Sequence, residues 1–308
     1  MKKNYDVIII GAGIAGMTAA LYLKRYNMDV LIIEKEYPGG QLNKIAKIEN
    51  YPGFLEINGF DLGNNIYEQI KKLDIPIIFE KVDKIKNESN KKLVETTNEI
   101  YEANYIVIAT GRLPRRLNIE TEDELLGKGI SYCATCDGPL YKNKDVIVVG
   151  GGDSALQEAL YLSSICNKVT LIHRRDSFRA REELVEKVQN KENIEIIYNS
   201  VINTLIQEND RFSGIKIDKN GEILEKIAEG LFVYIGSTVD EIPFLMLNLH
   251  TKDGYIIVNE KCETNISNIY ACGDVIFKDT YQLTTAVGEA ATLSNSLHKS
   301  YINSKKPM

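Results

Sequence analysis

Two stretches of the chain repeat one pattern: a short run of buried-type residues, a glycine turn, then apolar positions at helical spacing. Tyr5-Asp6-Val7-Ile8-Ile9-Ile10 runs into Gly11-Ala12-Gly13 and Gly16, with a helical pattern through Leu21 and Leu23. Asp145-Val146-Ile147-Val148-Val149 runs into Gly150-Gly151-Gly152 and Ala155, with a helical pattern through Leu160. Short continuous apolar runs suit strands covered on both faces, as in parallel sheets. Each unit then enters a second strand, Asp29-Val30-Leu31-Ile32-Ile33 and Lys168-Val169-Thr170-Leu171-Ile172. The pattern predicts two βαβ units of the dinucleotide-binding kind.

Two further strand-like runs end in glycine. Tyr105-Ile106-Val107-Ile108-Ala109 leads to Thr110-Gly111, and Ile269-Tyr270-Ala271-Cys272 leads to Gly273-Asp274. Ligands of doubly wound sheets bind beyond the carboxyl ends of the strands. The C-terminal stretch therefore belongs with the first repeat, and the second repeat is an insertion. The expected fold class is α/β, with two Rossmann-like domains, one inserted into the other. Residues 1–112 and 243–308 form the discontinuous domain and residues 113–242 the inserted one. The chain is expected to cross at Arg112-Leu113-Pro114 and Gly236-Ser237-Thr238, and to fray from Ser304 to Met308.

A single GxGxxG turn is also compatible with packing alone. Here the strand, turn, helix and second strand are complete twice, and the glycines let the backbone approach a pyrophosphate at a helix N-terminus. The residue ending the second strand reads the adenosine ribose. Twenty-three positions after Gly11 comes Glu34, and the same interval after Gly150 brings His173, Arg174 and Arg175. A carboxylate accepts hydrogen bonds from a free 2′-hydroxyl and repels a 2′-phosphate, whereas guanidinium groups grip phosphate with forked, charged bonds. The first site suits FAD or NAD and the second suits NADPH, with Arg179 able to close the same pocket. The competing reading of the arginines is a solvated charge cluster.

Chemistry is carried by Cys133-Ala134-Thr135-Cys136, ahead of the second repeat. Two thiols at this spacing can close a disulfide and be reduced again. The rival is half a zinc site, but the chain has no second CxxC and only three histidines, none near in sequence, so no metal is expected. Asp137 follows directly and is a candidate general acid, or else a helix cap. Cys166, Cys262 and Cys272 sit in apolar contexts and read as buried small hydrophobes.

Composition adds exclusions. The 308 residues are 44% hydrophobic and 26% charged, with a net charge of −6, as expected of a globular chain without affinity for nucleic acid or anionic membranes. No apolar run approaches the ~18 residues of a membrane span. Met1-Lys2-Lys3-Asn4 could open a signal peptide, but Asp6 and the glycine turn interrupt it, so a cytoplasmic location is expected. Five cysteines, an odd number, make no secreted disulfide framework.

Together these segments resemble bacterial low-molecular-weight thioredoxin reductases, of the class-II pyridine nucleotide-disulfide oxidoreductases. The likeness runs the length of the chain. It rests on Gly11 to Gly16, Gly39-Gly40-Gln41-Leu42, Ile48 to Gly53, Ala109-Thr110-Gly111 and Cys133 to Gly138. Gly150 to Ala155, His173-Arg174-Arg175-Asp176 with Arg179, and Ala271-Cys272-Gly273-Asp274 complete it. The resemblance implies a homodimer with FAD in each subunit and thioredoxin, or a thioredoxin-like protein, as partner. It places FAD against Gly11, Gly13, Ile14, Ala15 and Gly16, then Glu34 and Lys35, then Gly39, Gly40, Gln41 and Leu42. Asn50, Val82, Thr110, Gly111, Gly273, Asp274, Gln282 and Leu283 complete that site. NADPH falls to Gly152, Asp153, Ser154, Ala155, His173, Arg174, Arg175 and Arg179. Cys136 would be the thiol nearest the flavin, Cys133 the attacking thiol and Asp137 the proton donor.

Three departures stand out. The family's Tyr-Arg-Gln is Thr280-Tyr281-Gln282 here, so a cationic contact near the cofactors is expected to be lost. Gly236-Ser237-Thr238-Val239-Asp240 replaces Gly-His-x-Pro-Asn, and Asn43-Lys44 stands where a threonine often follows the 39–42 loop. Competing readings are a ferredoxin-dependent flavin thioredoxin reductase, which would lack the second glycine turn and the arginines, and a reductase of another small disulfide protein. The flavin subunit that reduces peroxiredoxins would add an N-terminal thioredoxin-fold region. A ferredoxin–NADP reductase would lack Cys133 and Cys136, and a flavin-binding redox sensor would turn nothing over. Because the thiols and the NADPH site share the inserted domain, the resemblance favours a rotation about the two crossings that alternates them at the flavin.

Overall fold

The computed structural model describes residues 3–45, 48–88, 91–240 and 242–305; Met1, Lys2 and the end of the expected frayed tail lie outside the described residues. The chain divides into two compact units, Met1–Leu113 with Thr238–Met308, and Pro114–Ser237. The return crossing falls between Ser237 and Thr238, at the expected Gly236-Ser237-Thr238 crossing and ahead of the 242/243 domain boundary drawn from sequence. The cause is burial: Val239, Phe244 and Leu247 pack into the apolar cluster on one face of the first unit's sheet.

The first unit is built on a seven-stranded sheet. The strands Ile77–Phe79, Val30–Glu34, Asn4–Ile10 and Ile100–Ile108 lie side by side in parallel, and Ile269–Ala271 adds to Ile100–Ile108. Lys92–Thr96 and Val82–Asn87 extend the sheet as an antiparallel meander. Alternating residues of the central strands supply two cores. Val7, Ile9, Val30, Ile32, Tyr105 and Val107 pack on Met17 and Leu23 of the helix Ile14–Arg25 and on Leu293 and Leu297 of the helix Leu283–Ser304. Ile8, Ile10, Leu31, Ile33, Ile106 and Ile108 pack on Ile85, Val94 and Phe244. Burial on both faces is why these strands read as unbroken apolar runs.

The second unit repeats the plan with five parallel strands, in the order Ile194–Ile197, Lys168–Ile172, Asp145–Gly150, Gly230–Tyr234 and Ile130–Ser131. The helix Asp153–Ser163 covers one face through Ala155, Leu156, Ala159 and Leu162. A three-stranded antiparallel sheet, Ser200–Glu208, Arg211–Lys219 and Glu222–Ile227, covers the other through Leu205, Phe212, Ile215 and Ile217. No described helix is long and apolar enough to cross a membrane.

Candidate functional sites: two glycine turns and a cysteine pair

In the first unit the glycines are required by contact distances. Gly11 has φ +103°, and a Cβ there would stand 2.5 Å from the Ala109 carbonyl oxygen. At Gly16 it would stand 1.9 Å from the Gly11 oxygen, so only glycine lets the helix begin against its strand. Gly13 differs: no atom lies within 4 Å of its Cβ position, which leaves the backbone open to close approach by a ligand.

Around that turn the chain gathers residues distant in sequence. Glu34 ends its strand, with Oε2 accepting the Ala12 N–H at 2.6 Å and Oε1 accepting the Glu36 N–H at 3.0 Å. The carboxylate therefore fastens the turn and keeps lone pairs over to accept further hydrogen bonds. A cavity is lined by Gly11, Glu34, Lys35, Val82, Thr110, Leu113 and Asp240, among others. The 39–42 loop lies on the turn: Gly39 N–H donates to the Ala12 oxygen at 2.8 Å, and a Cβ at Gly40 would come 3.3 Å from Gly13 Cα. Leu42 anchors this loop in the core. Gly273, at φ +80°, brings its turn so near the first helix that a Cβ would be 2.8 Å from the Ala15 methyl. Asn50 Nδ2 donates to Gln282 Oε1 at 3.1 Å, and Gln282 caps the last helix in a reciprocal pair with Thr285.

These residues fit a dinucleotide. Thr110 Oγ1 and Asn43 Oδ1 are buried polar atoms with no hydrogen-bond partner among the described residues. Thr110 also lines the cavity, and its hydroxyl lacks the partner that buried polar atoms ordinarily have. Asn43, one of the departures, turns its Nδ2 inward to the Pro38 oxygen at 3.1 Å.

The second turn repeats the logic. A Cβ at Gly150 would strike the Tyr234 oxygen at 2.3 Å and the Ala155 methyl at 2.6 Å, whereas at Gly152 nothing lies within 4 Å. The His173 ring is buried under the turn: a Cβ at Gly151 would stand 2.1 Å from its Cε1, and its Nε2 lies 3.0 Å from the Ser177 oxygen. Burial, with Arg175 and Arg179 nearby, lowers its pKa, so this histidine packs as a neutral ring. Arg174, Arg175 and Arg179 are exposed. Asp153, expected at the nucleotide, is held by Arg181, which donates N–H and Nε–H to it at 2.8 Å each. Ser154 is exposed at the helix start, and Ala155 is buried against Gly150.

Cys133 and Cys136 are joined as a disulfide with Cα atoms 5.3 Å apart. Cys133 caps the short turn Ala134–Asp137, and its sulfur accepts the Cys136 N–H at 3.2 Å and lies 3.4 Å from the Thr135 hydroxyl. Ser131 donates its hydroxyl to Asp137 Oδ2 at 2.6 Å and accepts the Cys133 N–H at 3.0 Å. The Ala134 N–H donates to the Tyr234 hydroxyl at 2.7 Å, a partner that sequence reasoning missed. Burial and the carboxylates of Glu158 and Asp137 raise the Tyr234 pKa, so it stays a neutral phenol.

Glu158, also missed, has a buried Oε2 with no partner, and burial pushes its carboxyl up from 4.5 to about 7. Between those values the folded chain keeps a proton that the unfolded chain has lost. This residue's share of stability is full below pH 4.5 and is lost as pH rises through about 7. Glu158→Gln is expected to stabilise the protein at pH 8 by on the order of 3 kcal/mol, with little gain at pH 4.5. Denaturant midpoints at the two pH values check this, and equal shifts at both refute the assignment.

The family model for pyridine nucleotide-disulphide oxidoreductases matches residues 5–291. A thioredoxin reductase of Listeria monocytogenes is 39% identical, over 97% of this chain and 94% of that one. A thioredoxin reductase of Bacillus subtilis is 38% identical, over 96% and 94%. The crystal structure of Lactococcus lactis thioredoxin reductase superposes with a TM-score of 0.92 at 38% identity, covering 97% of this chain and 99% of that one. With two glycine turns suited to a flavin and a pyridine nucleotide, and a disulfide at the CxxC, the chain belongs to the pyridine nucleotide-disulphide oxidoreductases and, within them, to the thioredoxin reductase family.

Proposed function

We propose that this chain is an NADPH-dependent thioredoxin-disulfide reductase: electrons pass from NADPH through FAD to the Cys133–Cys136 disulfide, and from the dithiol to thioredoxin. The observation that carries this reading is the pairing of opposite chemistries at equivalent places. Glu34 stands at the end of one second strand, and Arg174 and Arg175 just beyond the other, with the disulfide in the unit that bears the arginines. FAD is assigned to the first unit, where Gly13 opens the backbone and the Thr110 hydroxyl lacks a partner.

Bound flavin supplies a carrier that takes two electrons from dihydronicotinamide and delivers them to a disulfide. The protein's own groups do the rest. Reduction of Cys133–Cys136 leaves a dithiol after uptake of two electrons and two protons. Cys133, as thiolate, attacks a sulfur of the thioredoxin disulfide, and Asp137, aligned by Ser131, gives a proton to the departing thiolate. Cys136 then displaces thioredoxin from Cys133, which restores the disulfide and releases a dithiol. Donors on the Cys133 sulfur favour its thiolate and fit it to the attacking role.

The test is steady-state oxidation of NADPH with oxidised thioredoxin, beside NADH and reduced ferredoxin as donors. NADPH-driven formation of thioredoxin thiols is expected, with NADH poorer by about tenfold to a hundredfold in kcat/KM. Turnover with ferredoxin alone would favour the ferredoxin-dependent enzyme. No thiol formation with any donor would leave a redox sensor.

A further inference from the structure

We infer that Arg112 is a positioning and charge-balancing residue of the flavin site; this rests on the assignment of FAD to the first unit. Three segments distant in sequence meet on this one residue. Gln41 Nε2 donates to the Arg112 carbonyl at 2.9 Å. Arg112 Nε and Nη2 both donate to Asp274 Oδ2, at 3.1 and 2.8 Å. The guanidinium carbon lies 4.3 Å from the centroid of the Tyr281 ring. Gln41 belongs to the loop on the first glycine turn, Asp274 to the turn against Ala15, and Tyr281 precedes the cap of the last helix.

Charge gives the second half of the inference. Lys278 Nζ lies 3.8 Å from Asp274 Oδ1 and 2.8 and 2.9 Å from the two oxygens of Glu289. Glu289 in turn accepts the Gly273 N–H at 2.8 Å. Arg112 and Lys278 therefore balance Asp274 and Glu289. Without Arg112 the cluster would carry one net negative charge beside the place assigned to a ligand with a charged pyrophosphate. The four side chains are 12–28% exposed, so solvent screens them less than open-surface charges. Position 281 is neutral, yet its ring offers a face on which a cation can rest. The Arg112 guanidinium lies on that face and places Nε and Nη2 on Asp274 at once, and the Lys278 ammonium stands 5.4 Å from the same ring centroid. Beside the neutral Tyr281, positive charge is thus supplied from position 112, nearer the ring than Lys278.

The experiment strips the flavin, titrates the apoprotein with FAD, and compares Arg112→Gln, which removes the charge, with Arg112→Lys, which keeps it. The Gln variant is expected to raise the FAD dissociation constant about tenfold to a hundredfold, and the Lys variant to recover most of that loss. The apoproteins should melt alike, while added FAD raises the melting temperature least in the Gln variant. Unchanged FAD affinity in Arg112→Gln, equal losses in both variants, or an apoprotein melting loss as large as that of the loaded protein would overturn the inference. If the unmodified apoprotein binds no FAD, the flavin assignment itself fails, and that is seen before any variant is compared.

Discussion

Cys136→Ser is expected to abolish thioredoxin reduction, by on the order of a thousandfold or more, and to leave Cys133 able to capture its partner as a stable mixed disulfide. Two-electron turnover needs both sulfurs, one to attack and one to resolve, so either serine variant stops the cycle. The asymmetry between the variants separates the roles. The Cys133 sulfur accepts the Cys136 N–H at 3.2 Å and lies 3.4 Å from the Thr135 hydroxyl. Hydrogen-bond donors favour the charged form of the group that accepts them, so these contacts fit Cys133 to the attacking role expected of it. A single-cysteine thioredoxin carrying an aromatic thiol as a mixed disulfide makes the step visible. Attack by Cys133 forms the protein–protein disulfide and releases the coloured aromatic thiolate. Cys136→Ser should release it and become covalently linked to thioredoxin, whereas Cys133→Ser should do so far more slowly. The opposite pattern would reverse the roles.

The parts of this site that are legible in the sequence are those fixed by local steric demands. Gly11, Gly16 and Gly150 cannot be another residue, because a Cβ would fall inside a carbonyl contact only a few bonds or one strand away. Such demands recur with fixed spacing, and this is why the repeat can be read without a structure. Glu34 is legible at the end of the second strand from its interval after Gly11, but not its grip on the Ala12 N–H, which depends on how the strand end meets the turn. Contacts that form only when the chain closes on itself leave no periodic trace. Arg112 meets Asp274 across 162 positions, and Tyr234 meets Ala134 across 100. The antiparallel strands were missed for another reason. Ser200–Glu208 buries only Ser200 and Leu205 fully, so its alternation is too weak to announce a strand. The crossing at Gly236-Ser237-Thr238 is legible, whereas the assignment of Val239 and Phe244 to the first unit needs the face they pack on.

Replacing Arg174 and Arg175 together by alanine is expected to raise the Michaelis constant for NADPH by roughly a hundredfold or more, with that for NADH almost unchanged. Each charge-assisted contact to a 2′-phosphate is worth about 1.5–3 kcal/mol, roughly tenfold to a hundredfold. The surroundings explain why these two arginines are available. Arg181, in the same loop, is committed to Asp153 by two bonds of 2.8 Å, and Asp176 accepts from the Ser177 hydroxyl at 3.0 Å. Among the described residues no carboxylate forms an ion pair with Arg174 or Arg175. Their backbone is nevertheless fixed. Asn199 N–H donates to the Arg175 oxygen at 3.1 Å, Ser200 N–H to the His173 oxygen at 3.0 Å, and Arg179 N–H to the Gly151 oxygen at 2.8 Å. Two exposed guanidinium groups thus stand on a backbone tied to the second glycine turn. His173 adds no charge, since burial keeps its ring neutral. Discrimination between NADPH and NADH is therefore expected to fall on the arginines and to weaken as salt screens them. Steady-state titrations with both nucleotides at two ionic strengths measure this. Equal losses for NADPH and NADH in the double variant would reject the arginines as readers of the 2′-phosphate.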